Sequence, residues 1–474
     1  MSDPNLLRSI PSVDRILRTR TLRELALRYP HDQLVKWARE AIQEFRTQVR
    51  EGTVPQNHDA LDQVTKGILE NERFHAGSKI RTVLNATGIL LHTNLGRAPL
   101  AERAVQRVID STQTVNIELN LQTGKRNSRG QHCVDLLCQL TGCEDAILTN
   151  NCAAATMMVL QTLAQQREVI ISRGQLVEIG GGFRLPDVFR AAGVILREVG
   201  TTNRTYVRDY ESARNDQTAA IMRVHHGNYK ISGFVTEPTI AELVPVGNEE
   251  LIPVIDDLGS GWLGDEVISS SVTKHDLSEI NEPSVTKSVS SGADLTLFSG
   301  DKLFGGPQCG IILGKSQWIK RLRKSPLMRA MRLDKMALAA LEATIEIHLQ
   351  GLATQELPVF QMLFLKSETI RERCQKILCQ IGDEIPCEIT ACVSQIGGGS
   401  MPDQSLPSFG VRILTDQPNQ IATKLRENSP SIQARIVDDS VLLDLRTIPE
   451  SSIELLANSL LKVCKHEEPK SEEV

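Results

Sequence analysis

Apolar positions keep two different rhythms along this chain. In the N-terminal part Leu34, Trp37, Ala38, Ala41, Ile42, Phe45 and Val49 recur at three- and four-residue spacing. That period predicts an amphipathic helix, which Gly52 and Pro55 stop. Residues 1 to about 75 read as helical throughout. From about residue 85 short aliphatic runs alternate with helical stretches: Ala146–Leu148, Val169–Ile171, Val194–Leu196, Ala220–Val224, Ile252–Ile255, Leu295–Leu297 and Gly310–Leu313. Runs this short and this apolar suit strands covered on both faces of a mainly parallel sheet. Their alternation with helices predicts a large α/β domain. A helix near Leu341–Gln350 leads away from it. Beyond lie strands at Val411–Leu414 and Val441–Leu445 and helices at Glu368–Ile381 and Ile453–Val463, a smaller α+β domain. The expected organisation is a helical domain over 1–75, a large α/β domain over 76–345 that begins with a linker at 76–90, and a small α+β domain over 346–474. The charged tail Lys465–Val474 is expected to fray.

Composition narrows the class. The chain has 474 residues, 41% hydrophobic and 23% charged, as in a soluble globular protein. Aromatics are only 4%, so the core must be aliphatic. No apolar run approaches the roughly 20 residues that span a bilayer. The polar start Met1-Ser2-Asp3-Pro4-Asn5 lacks the pattern of a secretory signal, so a cytoplasmic location is expected. The net charge of −5 excludes a generic polyanion binder. Residues 1–50 nevertheless hold ten basic against six acidic side chains, an asymmetry that points to a local polyanion contact. None of the ten cysteines pairs as C-x-x-C, so free thiols are expected and a zinc ribbon is not. His225-His226 have no third ligand suitably spaced, and no metal is assigned; one of them is a candidate neighbour of a cofactor ring.

Three constellations carry candidate chemistry. In Phe298-Ser299-Gly300-Asp301-Lys302-Leu303-Phe304-Gly305-Gly306 a lysine follows the end of a strand. Desolvation there lowers a lysine pKa and leaves a nucleophilic amine suited to a Schiff base. Ser299, three residues earlier, is a candidate phosphate contact. In Val254-Ile255-Asp256-Asp257-Leu258-Gly259-Ser260-Gly261 an acid stands at the C-terminal end of a strand, where α/β ligands bind. Pyridoxal phosphate needs a carboxylate beside its pyridine nitrogen. Asp256 and Asp257 compete for that place, and Asp257, nearer the Gly-Ser-Gly turn, is favoured. In Thr149-Asn150-Asn151-Cys152-Ala153-Ala154-Ala155-Thr156 a strand passes into a helix whose small residues bare its first N–H groups, an anion cup. Cup, acid and lysine occur in the order found in aspartate-aminotransferase-like (fold type I) pyridoxal-phosphate enzymes.

Longer strings carry a more specific likeness. They are Ile10-Pro11-Ser12-Val13-Asp14, Asn85-Ala86-Thr87-Gly88, Thr93-Asn94-Leu95-Gly96-Arg97-Ala98-Pro99, Val177-Glu178-Ile179-Gly180-Gly181, Gly200-Thr201-Thr202-Asn203, Ser299-Gly300-Asp301-Lys302, Gly397-Gly398-Gly399-Ser400 and Asp444-Leu445-Arg446-Thr447. Over nearly its whole length the chain resembles the bacterial selenocysteine synthases, the L-seryl-tRNA(Sec) selenium transferases. The resemblance implies fold type I, pyridoxal 5'-phosphate as cofactor, and a β-replacement on L-seryl-tRNA(Sec) through an aminoacrylyl intermediate, with selenophosphate as selenium donor.

By position, the resemblance makes Lys302 the Schiff-base lysine and Asp301 its acidic neighbour. The cofactor set it suggests is Lys302, Asp257, Asn151, Cys152, Ala153, Ser299, Asn228 and Glu178. Arg97, Arg329 and Arg332 match arginines suited to the phosphate of selenophosphate, and Arg129 a further substrate-binding group near the cofactor. It also implies an N-terminal domain that grips the tRNA and a ring-shaped homodecamer, a pentamer of dimers. Two positions depart from the family: Cys152 stands where a third asparagine is usual, and Gly227 where serine is usual. The alternative reading is a related pyridoxal-phosphate lyase acting on a small amino or sugar acid without tRNA.

Overall fold

The structure, a computed structural model, describes residues 9–51, 59–76, 79–249, 251–265, 267–268, 280–402 and 404–464. The predicted helix stop at Gly52 and Pro55 and the tail Lys465–Val474 lie outside the described residues. Two compact units divide the chain, Met1–Thr82 and Val83–Val474.

The first unit is helical: Val13–Leu17, Arg20–Leu25, His31–Glu51 and Ala60–Ala76. Ser12 and Thr19 cap the first two helices, each accepting a backbone N–H three residues on. The apolar stripe predicted on the long helix is buried, with Trp37, Ala38, Ala41 and Phe45 packed against Val64 and Ile68. Burial of that stripe turns Arg15, Arg23, Arg39 and Arg46 outward, and among the described residues none of these pairs with a carboxylate. No helix of the described residues is long and apolar enough to cross a membrane.

The second unit is built on a seven-stranded sheet. Its strands are β1 (Asp145–Thr149), β2 (Glu168–Ser172), β3 (Ile195–Val199), β4 (Thr218–Val224), β5 (Val254–Gly259), β6 (Leu295–Ser299) and β7 (Gly310–Gly314). They lie in the order β1-β7-β6-β5-β4-β2-β3. Only β7 runs against its neighbours; the other pairings within this sheet are parallel. All seven predicted strands are present, and the sheet has the mainly parallel α/β architecture expected. The reason is visible in burial: β6 and β7 are buried at every position, as a strand covered on both faces must be. The strand predicted from Ile252 begins two residues later, at Val254, after Pro253, which has no N–H to give a sheet.

A four-stranded antiparallel sheet follows: β8 (Cys387–Gln395), β9 (Ser405–Ile413), β10 (Arg435–Val437) and β11 (Ser440–Asp444), in the order β8-β9-β11-β10. It gathers its own core with the helices Ser367–Ile381 and Ile453–Cys464. Asp444 knots it to the start of the unit. Its buried carboxylate accepts from Ser394, Ser408, Arg435 and the Arg446 N–H at 2.7–3.1 Å. Thr447 Oγ1 donates to the Asn85 carbonyl at 2.6 Å and accepts from the Gly88 N–H at 3.2 Å. Gly88 has φ +72°, and a Cβ there would meet the Asp444 carboxylate at 2.0 Å. The strings at 85–88 and 444–447 are therefore explained by this junction.

Candidate active site

Four chain segments leave the same edge of the large sheet. The ends of β1, β4, β5 and β6 deliver Asn151, His225, Asp257 and Lys302, and a cavity of about 380 Å³ lies among them. Ligands of open parallel sheets bind outside these carboxyl ends.

Lys302 is 7% exposed. Among the described residues no hydrogen bond or ion pair engages its Nζ. Burial lowers the affinity of Nζ for its proton, and the Arg97 charge lowers it further, against the pull of Asp301 and Asp257. Asp301 is buried beneath. One of its oxygens accepts from Ser299 Oγ at 2.6 Å and the other from Arg97 Nη1 at 2.7 Å. The Asp301 carbonyl also takes the Ala98 N–H at 3.1 Å, so both backbone and side chain fix the Arg97 loop. Arg97 itself has φ +63°, a strained setting that this clamp holds in place. Its Nε is buried and has no hydrogen-bond partner among the described residues.

Strand alternation separates the two competing acids. Asp256 is wholly buried on the far face, gripped by Arg223 at 2.8 and 3.1 Å and by Ser288 at 2.6 Å. Asp257 faces the cavity, where Thr156 Oγ1 donates to it at 2.9 Å and the Cys152 thiol lies at 3.8 Å. Burial pushes the Asp257 carboxyl up to about 6, while Thr156 and Lys302 pull the other way. Burial likewise raises the Cys152 thiol well above its ordinary value, so it stands as a neutral thiol.

The helix Cys152–Ala164 points its N-terminus into the same cavity, and Asn151 caps it by accepting from the Ala154 N–H at 2.8 Å. The N–H groups of Cys152 and Ala153 make no hydrogen bond among the described residues, which leaves an anion cup. Asn228 lines the cavity, and its amide donates to the Glu178 carbonyl at 2.7 Å. The Glu178 side chain does not line it; exposed, it meets Arg184 at 3.3 Å. Ser299 lines the cavity, yet its hydroxyl proton goes to Asp301 rather than to a phosphate.

The four arginines fall into two places. Arg97 lines the lysine cavity. Arg129, Arg329 and Arg332 line a second cavity of about 660 Å³. The strand-to-helix turn borders both: Ala146–Leu148 face the second cavity, Asn151 and Ala153 the first. Thr149 forms a bridge with Arg332, and the Asn150 N–H donates to the Met331 carbonyl at 2.9 Å.

Sequence reasoning missed three partners of the site. Thr156 lay inside a quoted string with no role foreseen. Glu282 is a buried acid whose Oε1 stands 3.4 Å from His225 Nε2, and its other oxygen accepts from the Met401 N–H at 3.1 Å. It thereby holds the end of the glycine loop Gly397–Gly399 through Met401 and lies beside His225 without a hydrogen bond to it, and no motif marks it. The third is the fit of Gly227: a Cβ there would stand 2.1 Å from the Gly399 carbonyl oxygen, so the departure from serine is matched by a close backbone approach.

Comparison with known proteins places this geometry. A family model described as L-seryl-tRNA selenium transferase matches residues 83–449, and one described as selenocysteine synthase N terminal matches residues 7–46. The chain is 41% identical over 468 residues to the L-seryl-tRNA(Sec) selenium transferase of Carboxydothermus hydrogenoformans, covering 98% of each. It is 36% identical to that of Clostridium botulinum, covering 98% of this chain and all of the relative. Among solved structures, a D-glucosaminate-6-phosphate ammonia-lyase shares the fold at a TM-score of 0.55 and 20% identity, covering 84% of this chain and 98% of the other.

Proposed function

The chain belongs to the L-seryl-tRNA selenium transferase family, and from that premise we propose that it converts L-seryl-tRNA(Sec) to L-selenocysteinyl-tRNA(Sec) with selenophosphate as donor, using pyridoxal 5'-phosphate. The observation that carries this reading is the Lys302 amine: buried, unengaged, and sharing a cavity with Asp257 and an open helix N-terminus.

The residues suit that cofactor. Lys302 is the amine to hold its carbonyl carbon, Asp257 the carboxylate for its ring nitrogen, and the Cys152 and Ala153 N–H groups the cup for its phosphate. When bound, the cofactor supplies an electron sink for the bond broken at the seryl Cα. The remaining work is the protein's. Lys302 Nζ, with its proton weakly held, takes the proton from Cα and returns one later. Asp301 keeps Arg97 at the mouth of that site, where the guanidinium steers an anion. Asp257 stays ionised at neutral pH because Thr156 donates to it. Glu282 holds the end of the glycine loop through the Met401 N–H.

In this reading Arg97, Arg129, Arg329 and Arg332 bind the phosphate of selenophosphate. Their separation within one chain supports an assembly in which the arginine cavity of one copy faces the lysine cavity of another. A ring of ten chains, a pentamer of dimers, would satisfy that. Exposed Val105, Ile109, Leu119 and Leu121 are candidate contacts between copies. The outward arginines of the first unit are the grip for tRNA phosphates. Such an enzyme works in the cytoplasm. A small-molecule lyase would have no use for that unit.

Borohydride reduction of the purified protein, followed by peptide mapping, should fix the cofactor on Lys302. Label on another lysine, or none, overturns the assignment.

A further inference from the structure

The arginine cavity already contains a carboxylate. Glu118 accepts from Arg126 Nη2 at 3.0 Å, and Arg129 Nη1 and Arg332 Nη1 stand 3.5 and 3.8 Å from its other oxygen. Arg323, also in this cavity, is spent on Asp145 at 2.5 and 2.7 Å. Arg329 has no carboxylate partner among the described residues. The cavity therefore holds three guanidiniums that share one carboxylate and a fourth that has none.

Glu118 is put there by a self-contained turn. Leu119 bridges Arg126, and the Asn127 N–H donates to the Glu118 carbonyl at 2.9 Å. Asn120 Oδ1 accepts from the Gln122 and Thr123 N–H groups at 3.0 Å each. The turn sets Glu118 and Arg126 side by side. Arg129 is tethered separately, its Nε donating to the Leu333 carbonyl at 2.9 Å. The guanidinium of Arg129 is thus anchored from the Leu333 side, while the carboxylate comes from the turn. The Glu118 side chain is 27% exposed and can swing out without breaking the turn's backbone bonds.

We propose that Glu118 is the resident counter-ion of this cavity, that a phosphoryl anion enters by displacing it, and that Glu118 thereby sets which anions the site accepts. The proposal rests on reading the cavity as the selenophosphate site. A carboxylate and a phosphoryl group present oxygens to guanidinium forks in the same way. A dianion with three oxygens can engage Arg329 as well as the three arginines that Glu118 occupies. A monoanion gains too little to displace a carboxylate already in place. Glu118 thus acts as a threshold that chloride fails and a phosphoryl dianion passes, and it makes Glu118 a specificity-determining residue.

The test is calorimetric titration of the cofactor-loaded protein with inorganic phosphate, alone and against chloride at constant ionic strength. Glu118→Gln keeps the shape and removes the charge. It should bind phosphate about three- to tenfold more tightly, the scale of one or two partly exposed ion pairs released. Chloride should compete with phosphate in the variant and not in the parent. Weaker or unchanged phosphate binding in Glu118→Gln, with Arg329→Ala losing it, overturns the proposal alone: Glu118 would then organise the arginines instead of competing for them. If Arg329→Ala binds phosphate like the parent, the reading of the cavity falls and the proposal with it. Cofactor absorbance, measured on each variant, reports that the fold is intact.

Discussion

Asp257→Asn should make the cofactor-free protein more stable, although it removes a central group of the site. The ionised carboxylate is 9% exposed and faces a cavity rather than a fixed cation. Burial raises its pKa from 3.8 in an open chain to about 6 in the fold. An acid whose pKa is raised on folding binds its proton more tightly in the native state. Its contribution is most favourable below pH 3.8 and is lost as the pH rises to about 6, so that above this window the whole cost is present. That rise corresponds to about 3 kcal/mol at neutral pH. The amide cannot accept in both directions, and losing one acceptor for Thr156 or Cys152 returns about 1 kcal/mol. The net expectation is about 1–3 kcal/mol of stabilisation at pH 7.5, shrinking toward zero or reversing near pH 4. Urea unfolding of cofactor-stripped parent and variant at both pH values measures it, since only the difference between the two proteins is read. With pyridoxal phosphate added, the order should reverse, because the asparagine lacks the charge that stabilises a protonated ring nitrogen. A cofactor-free variant equal to or less stable than the parent at pH 7.5 would refute the argument that burial dominates at Asp257.

Arg97→Ala should slow selenium transfer far more than it weakens seryl-tRNA binding, by about 1.5–3 kcal/mol in transition-state terms for a lost charge-assisted contact; single-turnover transfer and filter binding compare the two. Gly227→Ala should lower the unfolding midpoint and reduce cofactor affinity, because its methyl carbon would stand 2.1 Å from the Gly399 carbonyl oxygen and must push the glycine loop away; thermal melts with and without cofactor check this. Removal of residues 1–82 should leave a folded, cofactor-loaded second unit, since its sheet, lysine and acid all lie beyond that point. The shortened protein should lose affinity for seryl-tRNA(Sec), and the affinity of the full chain should fall steeply with salt.

The large sheet was legible because each of its strands contains a short aliphatic run, and such runs have few other uses in a chain of this kind. Lys302 and Asp257 were legible for a related reason: each follows a strand whose direction fixes which edge it leaves. Strand β8 was not. Eight of its nine residues are partly or fully exposed, and Glu388, Thr390 and Ser394 interrupt any apolar signal. Glu282 was hidden because its meaning depends on His225, fifty-seven residues away, and nothing local distinguishes it from a surface glutamate. Ser299 and Glu178 show what local sequence leaves open. Ser299 lines the cavity with its hydroxyl proton given to Asp301, and the Glu178 side chain turns out to Arg184. The division of the arginines between two cavities could not be read at all, since it depends on how the turn after β1 packs on residues near 331.

The Asp444 junction has a consequence for how the protein is made. Residues 85–88 leave the ribosome early, yet Gly88 finds its Thr447 partner only 359 residues later. At ordinary rates of synthesis, about 5–20 residues per second, that is a wait of roughly 20–70 seconds. The glycine loop that covers Lys302 sits just upstream, with Gly397 and Gly398 against Leu91, so it too closes late. Until then the lysine and Asp257 belong to a finished sheet without a roof. The roof of the lysine pocket is therefore completed only near the end of translation, and a nascent chain that stalls before residue 447 should be recognisable to quality control by its open pocket.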